Sequence, residues 1–346
     1  MSAEAGDEPG KPRRGRRPTM GDVAQRVGVS RALVSLVFRN ERGPSEETRQ
    51  RVFAAARELG YRPDSAAQML ARSRSKVLGV MFTARNPFHN DLIEGVYPVA
   101  EELGYDILLS ATAPSRAEQA AVEALLSHRC EGLVLLGPNL EPGYVRELAT
   151  RIPTAVVGRR FSGAEVDAVH AAEAQGVRQI IDYLVELGHK SIAHIDGGDG
   201  PGSAERRRAY KAALRRHGLA EHISVLPGDQ TEESGAAAAR ALLADRESMP
   251  TAVFAGNDRC AVGFLDTVWR AGLEVPGDIS VVGFDDSPLA QLSHIDLTTV
   301  AQAPERQAEL AVRAVVSRLD DPAREPAHLV IQPKLVVRGT TGSPRA

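Results

Sequence analysis

Cysteine is nearly absent: Cys130 and Cys260 are the only two in 346 residues, far apart and with no His or Cys at metal-ligand spacing. Neither a disulfide framework nor a zinc site is expected, and both thiols read as small core residues. No apolar run reaches the roughly 18 residues of a membrane span. The first residues, MSAEAGDEPGKPRRGRRP, carry no apolar stretch of the kind a secretory signal needs, so a cytoplasmic location is expected. Catalytic signatures are missing too. There is no G-x-S-x-G, no P-loop, and no GxGxxG after a strand. Nothing marks a nucleophile beside its base, so the chain is not expected to be an enzyme, and no cofactor or metal is expected.

What is present is charge, unevenly placed. The net charge of −3 hides a polarity: residues 1–76 hold 16 Lys/Arg against 9 Asp/Glu, and the other 270 residues hold 26 against 36. A basic head on an acidic body implies a polyanionic partner at one end only. With 43 % hydrophobic residues, the chain can build real cores, and its length suits two or three domains.

Residues 19–63 read as three short amphipathic helices. Val23, Ala24 and Val27 share a face of the first, and Gly28 breaks it, where a positive φ costs glycine little. Ser30 can cap a second helix over residues 31–38, with Leu33, Val34 and Val37 inward. Ser45 with Thr48 starts a third, with Val52, Ala56 and Leu59 inward and Gly60 after its end. Helix, glycine turn, helix is the helix-turn-helix pattern, whose second helix enters the DNA major groove. An ordinary three-helix bundle needs neither that Gly-Val-Ser turn nor a cationic exterior.

DVAQRVGVS, LVSLVF and SEETRQRVFAAARELGYRP together resemble the DNA-binding head of the LacI/GalR (lactose/galactose repressor) family, and the resemblance runs over nearly all of residues 19–341. It implies that Arg31 and Ala32 are the base-reading pair. Arginine can bond guanine O6 and N7 together, and alanine offers only apolar contact, as to a thymine methyl. Ser30, Ser35 and Arg39 read as phosphate-positioning groups. Leu33 and Leu36 depart from the family, where polar or cationic residues are common. Residues 64–75, DSAAQMLARSRS, resemble the family's hinge helix, capped by Asp64 or Ser65. Leu70, with Met69 beside it, matches the apolar wedge that enters the minor groove. Residues 1–18 read as a disordered basic arm, lying along phosphates or solvated.

From Lys76 onward strands and helices alternate. VLGVMF, YDILLSA, EGLVLLG and TAVVG are the strands of a first half, and SIAHIDG, ISVLPG, TAVFAG and DISVVGFDD those of a second. Continuous apolar strands between amphipathic helices imply parallel sheets covered on both faces. The expected fold is α/β: a helix-turn-helix head followed by a two-lobed, periplasmic-binding-protein-like clamshell over residues 76–341. Its first lobe is placed at about 76–160 plus 300–320, its second at about 161–299 plus 321–341.

Open α/β sheets bind ligands beyond the carboxyl ends of their strands. Polar residues gather there: Asn86-Pro87-Phe88-His89, Arg159-Arg160, Arg206, Asn257-Asp258 and Asp285-Asp286. Carried over from the family by position, the effector contacts are Phe88, His89, Arg159, Arg206, Asn257 and Asp285. Asn257 can equally cap the next helix, Phe88 can be core, and His89 can be a helix-start residue. The ligand chemistry fits a small polar effector such as a sugar or nucleoside. Where family members commonly carry Asp-Asn, this chain has Ala171-Ala172, after His170. The glycine-rich GGDGPG at residues 197–202 lacks the Lys-Ser/Thr of a P-loop and reads as a mobile cleft-edge loop.

The expected activity is that of a ligand-responsive, sequence-specific DNA-binding repressor of carbohydrate-related genes. It would bind a pseudo-palindromic operator as a homodimer. A solute-binding protein with no regulatory role is the alternative, and the basic head argues against it. No heptad-bearing segment follows Gly339, which favours dimer over tetramer.

Overall fold

The computed structural model describes residues 18–39, 41–61, 74–161 and 166–345. The basic arm through residue 17, and the hinge positions Asp64, Ser65, Met69 and Leu70, lie outside the described residues. The chain divides into two compact units, Met1–Ser75 and Lys76–Ala346. No helix among the described residues is long and apolar enough to cross a membrane.

The first unit holds α1 (Met20–Val27), α2 (Arg31–Phe38) and α3 (Glu46–Leu59). Thr19 opens α1 with a reciprocal cap. Its hydroxyl accepts from the Asp22 N–H at 3.3 Å, and the Asp22 carboxylate accepts from the Thr19 N–H at 2.6 Å, satisfying two otherwise free donors. Gly28 ends α1 at φ 76°, in the left-handed region. Ser30 and Ser45 accept from the N–H groups of Leu33 and Thr48 at 3.2 and 3.3 Å. Val23, Val27, Val34, Val37, Val52 and Ala56 form the buried core, with Leu33 and Leu59 packed half-buried against it. Arg51 donates to the Val27 carbonyl at 2.8 Å and so ties α3 to the turn between α1 and α2.

The second unit is two lobes. The first lobe's sheet contains β1 (Val77–Thr83), β2 (Asp106–Thr112), β3 (Gly132–Leu136), β4 (Thr154–Val157), β5 (Asp167–Ala171) and β11 (His328–Ile331). Their spatial order is β11-β5-β4-β3-β1-β2, and every pairing is parallel. The second lobe's sheet contains β6 (Ile192–Ile195), β7 (Ser224–Leu226), β8 (Ala252–Ala255) and β9 (Ser280–Val282), also parallel, in the order β7-β6-β8-β9. β10 (Thr299–Ala301) pairs antiparallel with β12 (Lys334–Val336) and reaches β9 through the Val282–Thr298 bridge. β3, β4 and β8 are buried at every residue, as central strands of doubly covered sheets must be.

Helices α4 (Pro87–Glu102), α5 (Glu118–Ser127), α6 (Pro142–Arg151) and α11 (Pro304–Asp320) cover the first sheet. Helices α7 (Glu173–Glu186), α8 (Ser203–Arg216), α9 (Glu232–Leu243) and α10 (Asp258–Arg270) cover the second. α9 and α10 approach closely: a Cβ on Gly235 would stand 1.9 Å from the Cys260 carbonyl oxygen. Cys130 and Cys260 are free and buried.

The lobe boundaries differ from those read in the sequence. β5 belongs to the first sheet, not the second lobe, so the chain first crosses at Ala172 and not near residue 160. The segment 321–341 is divided, with β11 in the first sheet and β12 beside the second. The physical reason is Asp167, which breaks the apolar pattern of β5. It is fully buried, with Arg318 Nε at 3.0 Å and Arg324 Nη1 at 3.6 Å from its carboxylate, so a charge that hides the strand in the sequence is neutralised in the fold. The chain crosses between the lobes three times: between β5 and α7, between β10 and α11, and between β11 and β12.

Candidate effector cleft and DNA-reading helix

In the first unit, Arg31 and Ala32 stand exposed at the start of α2, with Ser30 exposed at its cap. The Ser30 oxygen already accepts from Leu33, leaving its O–H free to donate. Ser35 is half-buried. Arg39 is exposed, 3.2 Å from the Glu41 carboxylate, and donates to the Ser35 carbonyl at 3.4 Å. The helix thus offers a short, uncrowded N-terminal face, the part of a recognition helix that reaches base edges.

In the second unit, a small cavity of about 30 Å³ takes Asn86, Phe88, His89, Gly137 and Val157 from the first lobe. Glu173, Arg206, Gln230 and Asp285 reach it from the second lobe, and Gln302 from the crossing after β10. This is room for about two water molecules, because the polar groups have closed on one another. Phe88, His89, Arg206 and Asp285 therefore meet as the sequence suggested. Arg159 lines an adjoining cavity instead. Asn257 lies outside both: its side chain accepts from the Cys260 N–H at 2.9 Å and caps α10. The capping alternative is the one the structure adopts.

Asn86 caps α4 and accepts from the Phe88 N–H at 3.2 Å, which sets Phe88 and His89 on the helix's first turn. His89 is buried, and its Nδ1 accepts from the Thr83 N–H at 2.9 Å. A backbone N–H can only donate, so the ring proton sits on Nε2. Burial pushes His89 down to about 4, so this ring is neutral and can donate through Nε2.

Arg206 is the centre of the cleft. Its Nε donates to Glu173 at 2.7 Å, its Nη1 donates to the Gly256 carbonyl at 2.6 Å, and its Nη2 is 3.8 Å from Asp285. The guanidinium also lies 3.8 Å over the Phe284 ring, a favourable cation–π stack. Burial opposes its charge, but Glu173 and Asp285 more than compensate and hold it above the ordinary arginine range. Asp285 accepts from Gln302 Nε2 at 2.7 Å and has φ 126°, a left-handed conformation that L-residues adopt at a cost and that concentrates at functional sites. Burial raises its carboxyl well above the usual range, with Arg206 opposing. Asp258 beside it is pushed up to about 6 by burial.

Glu173 and Gln302 were not singled out from the sequence. Ala172 caps α7 with no side-chain bond, and Ala171 is buried at the end of β5. The polar group at this point of the fold is supplied one residue later, by Glu173. Gly202, at φ 74°, is what admits it: a Cβ there would stand 2.8 Å from Glu173 Oε1. Among the described residues no group of three or more His, Cys, Asp or Glu could hold a metal ion.

Residues 19–64 match the family model of bacterial regulatory proteins of the lacI family, and residues 181–341 that of a periplasmic binding protein-like domain. The chain is 34 % identical over 330 residues to the ribose operon repressor of Escherichia coli strain K12, covering 93 % of this chain and 99 % of that protein. This chain belongs to the LacI family of bacterial regulatory proteins. Among solved LacI-family structures, a transcriptional regulator from a Rhodococcus species is 46 % identical, with TM-score 0.74, over 78 % of this chain and 99 % of that one. The Lac repressor dimer bound to operator and the anti-inducer ONPF is 28 % identical, with TM-score 0.80, over 94 % of this chain and all of that one (100 %). The LacI-family chain is thus a ligand-responsive DNA-binding transcriptional regulator, with a helix-turn-helix head and a two-lobed α/β body.

Proposed function

We propose that this regulator is a cytoplasmic homodimeric repressor of carbohydrate-related genes, not an enzyme, and that it answers to a sugar or nucleoside held between its lobes. Arg31 and Ala32 read bases, Ser30, Ser35 and Arg39 position phosphates, and Leu70 with Met69 forms the minor-groove wedge of the hinge. Phe88 stacks on a ring face, His89 Nε2 donates, and Arg206 and Asp285 bond hydroxyls; Glu173 and Gln302 hold those two charges in place.

The observation that carries this reading is the cleft itself. Its aromatic and imidazole groups come from one lobe and its paired charges from the other, so a ligand bonded to both fixes their separation. Support for repression comes from the ribose operon repressor and from the operator-bound Lac repressor dimer. A ligand can shift DNA affinity only through differential binding to two states, and a cleft whose polar groups come from both lobes would bind a ligand differently when the lobes stand apart and when they are closed on it. The test is operator titration at several salt concentrations. Affinity falls log-linearly with salt through counterion release, and Leu70→Ala weakens specific binding while ligand binding persists. A salt-insensitive affinity contradicts the DNA-binding assignment.

A further inference from the structure

Beside the narrow cleft lies a second cavity of about 510 Å³, sharing Gly158 and Glu173 with it. Its size falls in the range of small-molecule sites. Arg159, Arg160, Arg207 and Arg208 line it together with His170 and the glycine loop over residues 198–202. Three carboxylates also line it, yet they do not neutralise these cations evenly. Glu173 is spent on Arg206 at 2.7 Å. Glu205 is shared at long range between Arg160 at 3.8 Å and Arg208 at 4.0 Å. Arg159 donates to Asn139 Oδ1 and, at 2.9 Å, to the Asp199 backbone carbonyl, and Arg207 is ion-paired with Asp196, so Arg160 and Arg208 are the lining cations held only at long range. Two buried nitrogens of the lining, Arg159 Nε and His170 Nδ1, find no hydrogen-bond partner among the described residues. Such groups are rare in native structures; the Arg159 N–H calls for an acceptor, and the His170 nitrogen takes a donor or an acceptor according to its tautomer.

We propose that this cavity is an anion subsite and that the effector is a phosphate ester, with its hydroxyl-bearing ring in the Arg206–Asp285 cleft and its phosphate among the arginines. Planar guanidinium groups match phosphate oxygens in pairs. The loop's glycines let backbone approach the anion, and α8 begins directly after Gly202 with no side-chain cap on its first turn, which adds a favourable dipole. The cavity's charge is felt by its neighbours. Burial first, and then Arg160, push His170 below the usual histidine range. Burial holds Arg159 below the ordinary arginine range, with Glu118 and Asp199 opposing. The Ala171-Ala172 departure fits the same picture: polar recognition has moved toward the arginine side of the cleft.

This inference deepens the proposed function and rests on its effector reading. The test measures thermal shifts and calorimetric binding of the full chain with D-ribose, D-ribose 5-phosphate, inorganic phosphate and pyrophosphate. It is repeated with Arg160→Gln and Arg208→Gln, whose side chains are 72 % and 70 % exposed and so do not threaten folding. The expected result is that D-ribose 5-phosphate or the inorganic anions bind, at least tenfold tighter than ribose, and that each variant loses about tenfold of that affinity. If ribose binds as tightly as its phosphate and the variants bind unchanged, the anion subsite is overturned while the effector cleft stands. If none of the four probes binds but the operator does, the arginine cavity takes no phosphate and the subsite is likewise overturned. If ligands bind without changing operator affinity, the regulatory reading is what fails.

Discussion

Arg206 and Glu173 form an ion pair at 2.7 Å in which both side chains are about 95 % buried, at 4 % and 5 % exposure. The pair joins α8 to the start of α7, and it holds the guanidinium toward Asp285 at 3.8 Å. Cations and anions this deep are neither stabilising nor harmless in themselves. Each costs several kcal/mol to desolvate, and the pair only roughly returns that. Its consequence is positional: Arg206 cannot turn elsewhere without leaving Glu173 uncompensated.

Removing Glu173 alone should therefore be costly. Glu173→Gln is expected to destabilise the second unit by about 3 kcal/mol, because the Arg206 charge stays buried. The double variant Glu173→Leu with Arg206→Met should recover most of that stability and still fail to respond to ligand. Thermal unfolding and operator release measured side by side distinguish the two effects. A double variant no more stable than the single one contradicts the pairing.

Arg31 is expected to specify and not merely attract. Arg31→Ala should cost about 1–3 kcal/mol on the preferred operator and relax selectivity at one base pair. Arg39→Ala should weaken binding to all sequences alike and lower the salt slope by about one. Competition binding with single-base operator variants separates them. Equal losses on all sequences for both variants remove Arg31 from base readout.

Acid should act through buried histidines. His194 lies in the second core, donates from Nδ1 to the Phe254 carbonyl at 3.0 Å, and is pushed down to about 4 by burial. The unfolded chain protonates the same ring near 6.5, so between these values the unfolded state binds more protons. The contribution is complete above about 6.5 and is lost as pH falls through about 4. His89 acts in the same sense. Asp258, raised to about 6, acts in the opposite one, stabilising the fold at low pH and losing that contribution as pH rises through 6. Comparing wild type with His194→Gln isolates the first effect: the stability gap between them should narrow by about 3 kcal/mol from pH 7 to 4. A pH-independent gap contradicts a neutral, buried His194.

The head was legible almost residue by residue, since Ser30, Ser45, Gly28 and Gly60 are local signals whose meaning depends on three or four neighbours, while the Thr19–Asp22 cap emerges only in the fold. The first sheet was less so. β5 reads DAVHA, and its Asp167 makes sense only beside Arg318 and Arg324, some 150 residues away in the chain. In the cleft, Phe88, His89, Arg206 and Asp285 were singled out because they match the family's effector positions and lie among the polar residues that follow strand ends, where α/β sheets place ligands. Glu173 and Gln302 were missed because nothing local marks them. Each acts by supporting another side chain, through contacts that exist only once the lobes are assembled. Asn257 caps α10 through its side-chain oxygen, the alternative the sequence also offered, and lies outside the cleft lining.

If a ligand in the cleft changes operator affinity, the operator must change ligand affinity by the same factor, because coupling is reciprocal by thermodynamic necessity. The most direct measurement takes an operator duplex selected from random sequence by the protein. It compares operator affinity with and without saturating D-ribose 5-phosphate, and affinity for that ligand with and without saturating operator. Two equal ratios are expected, each at least fivefold from unity, both collapsing toward unity in Asp285→Ala while its operator affinity alone is kept. Ligand binding unchanged by saturating operator would contradict that coupling.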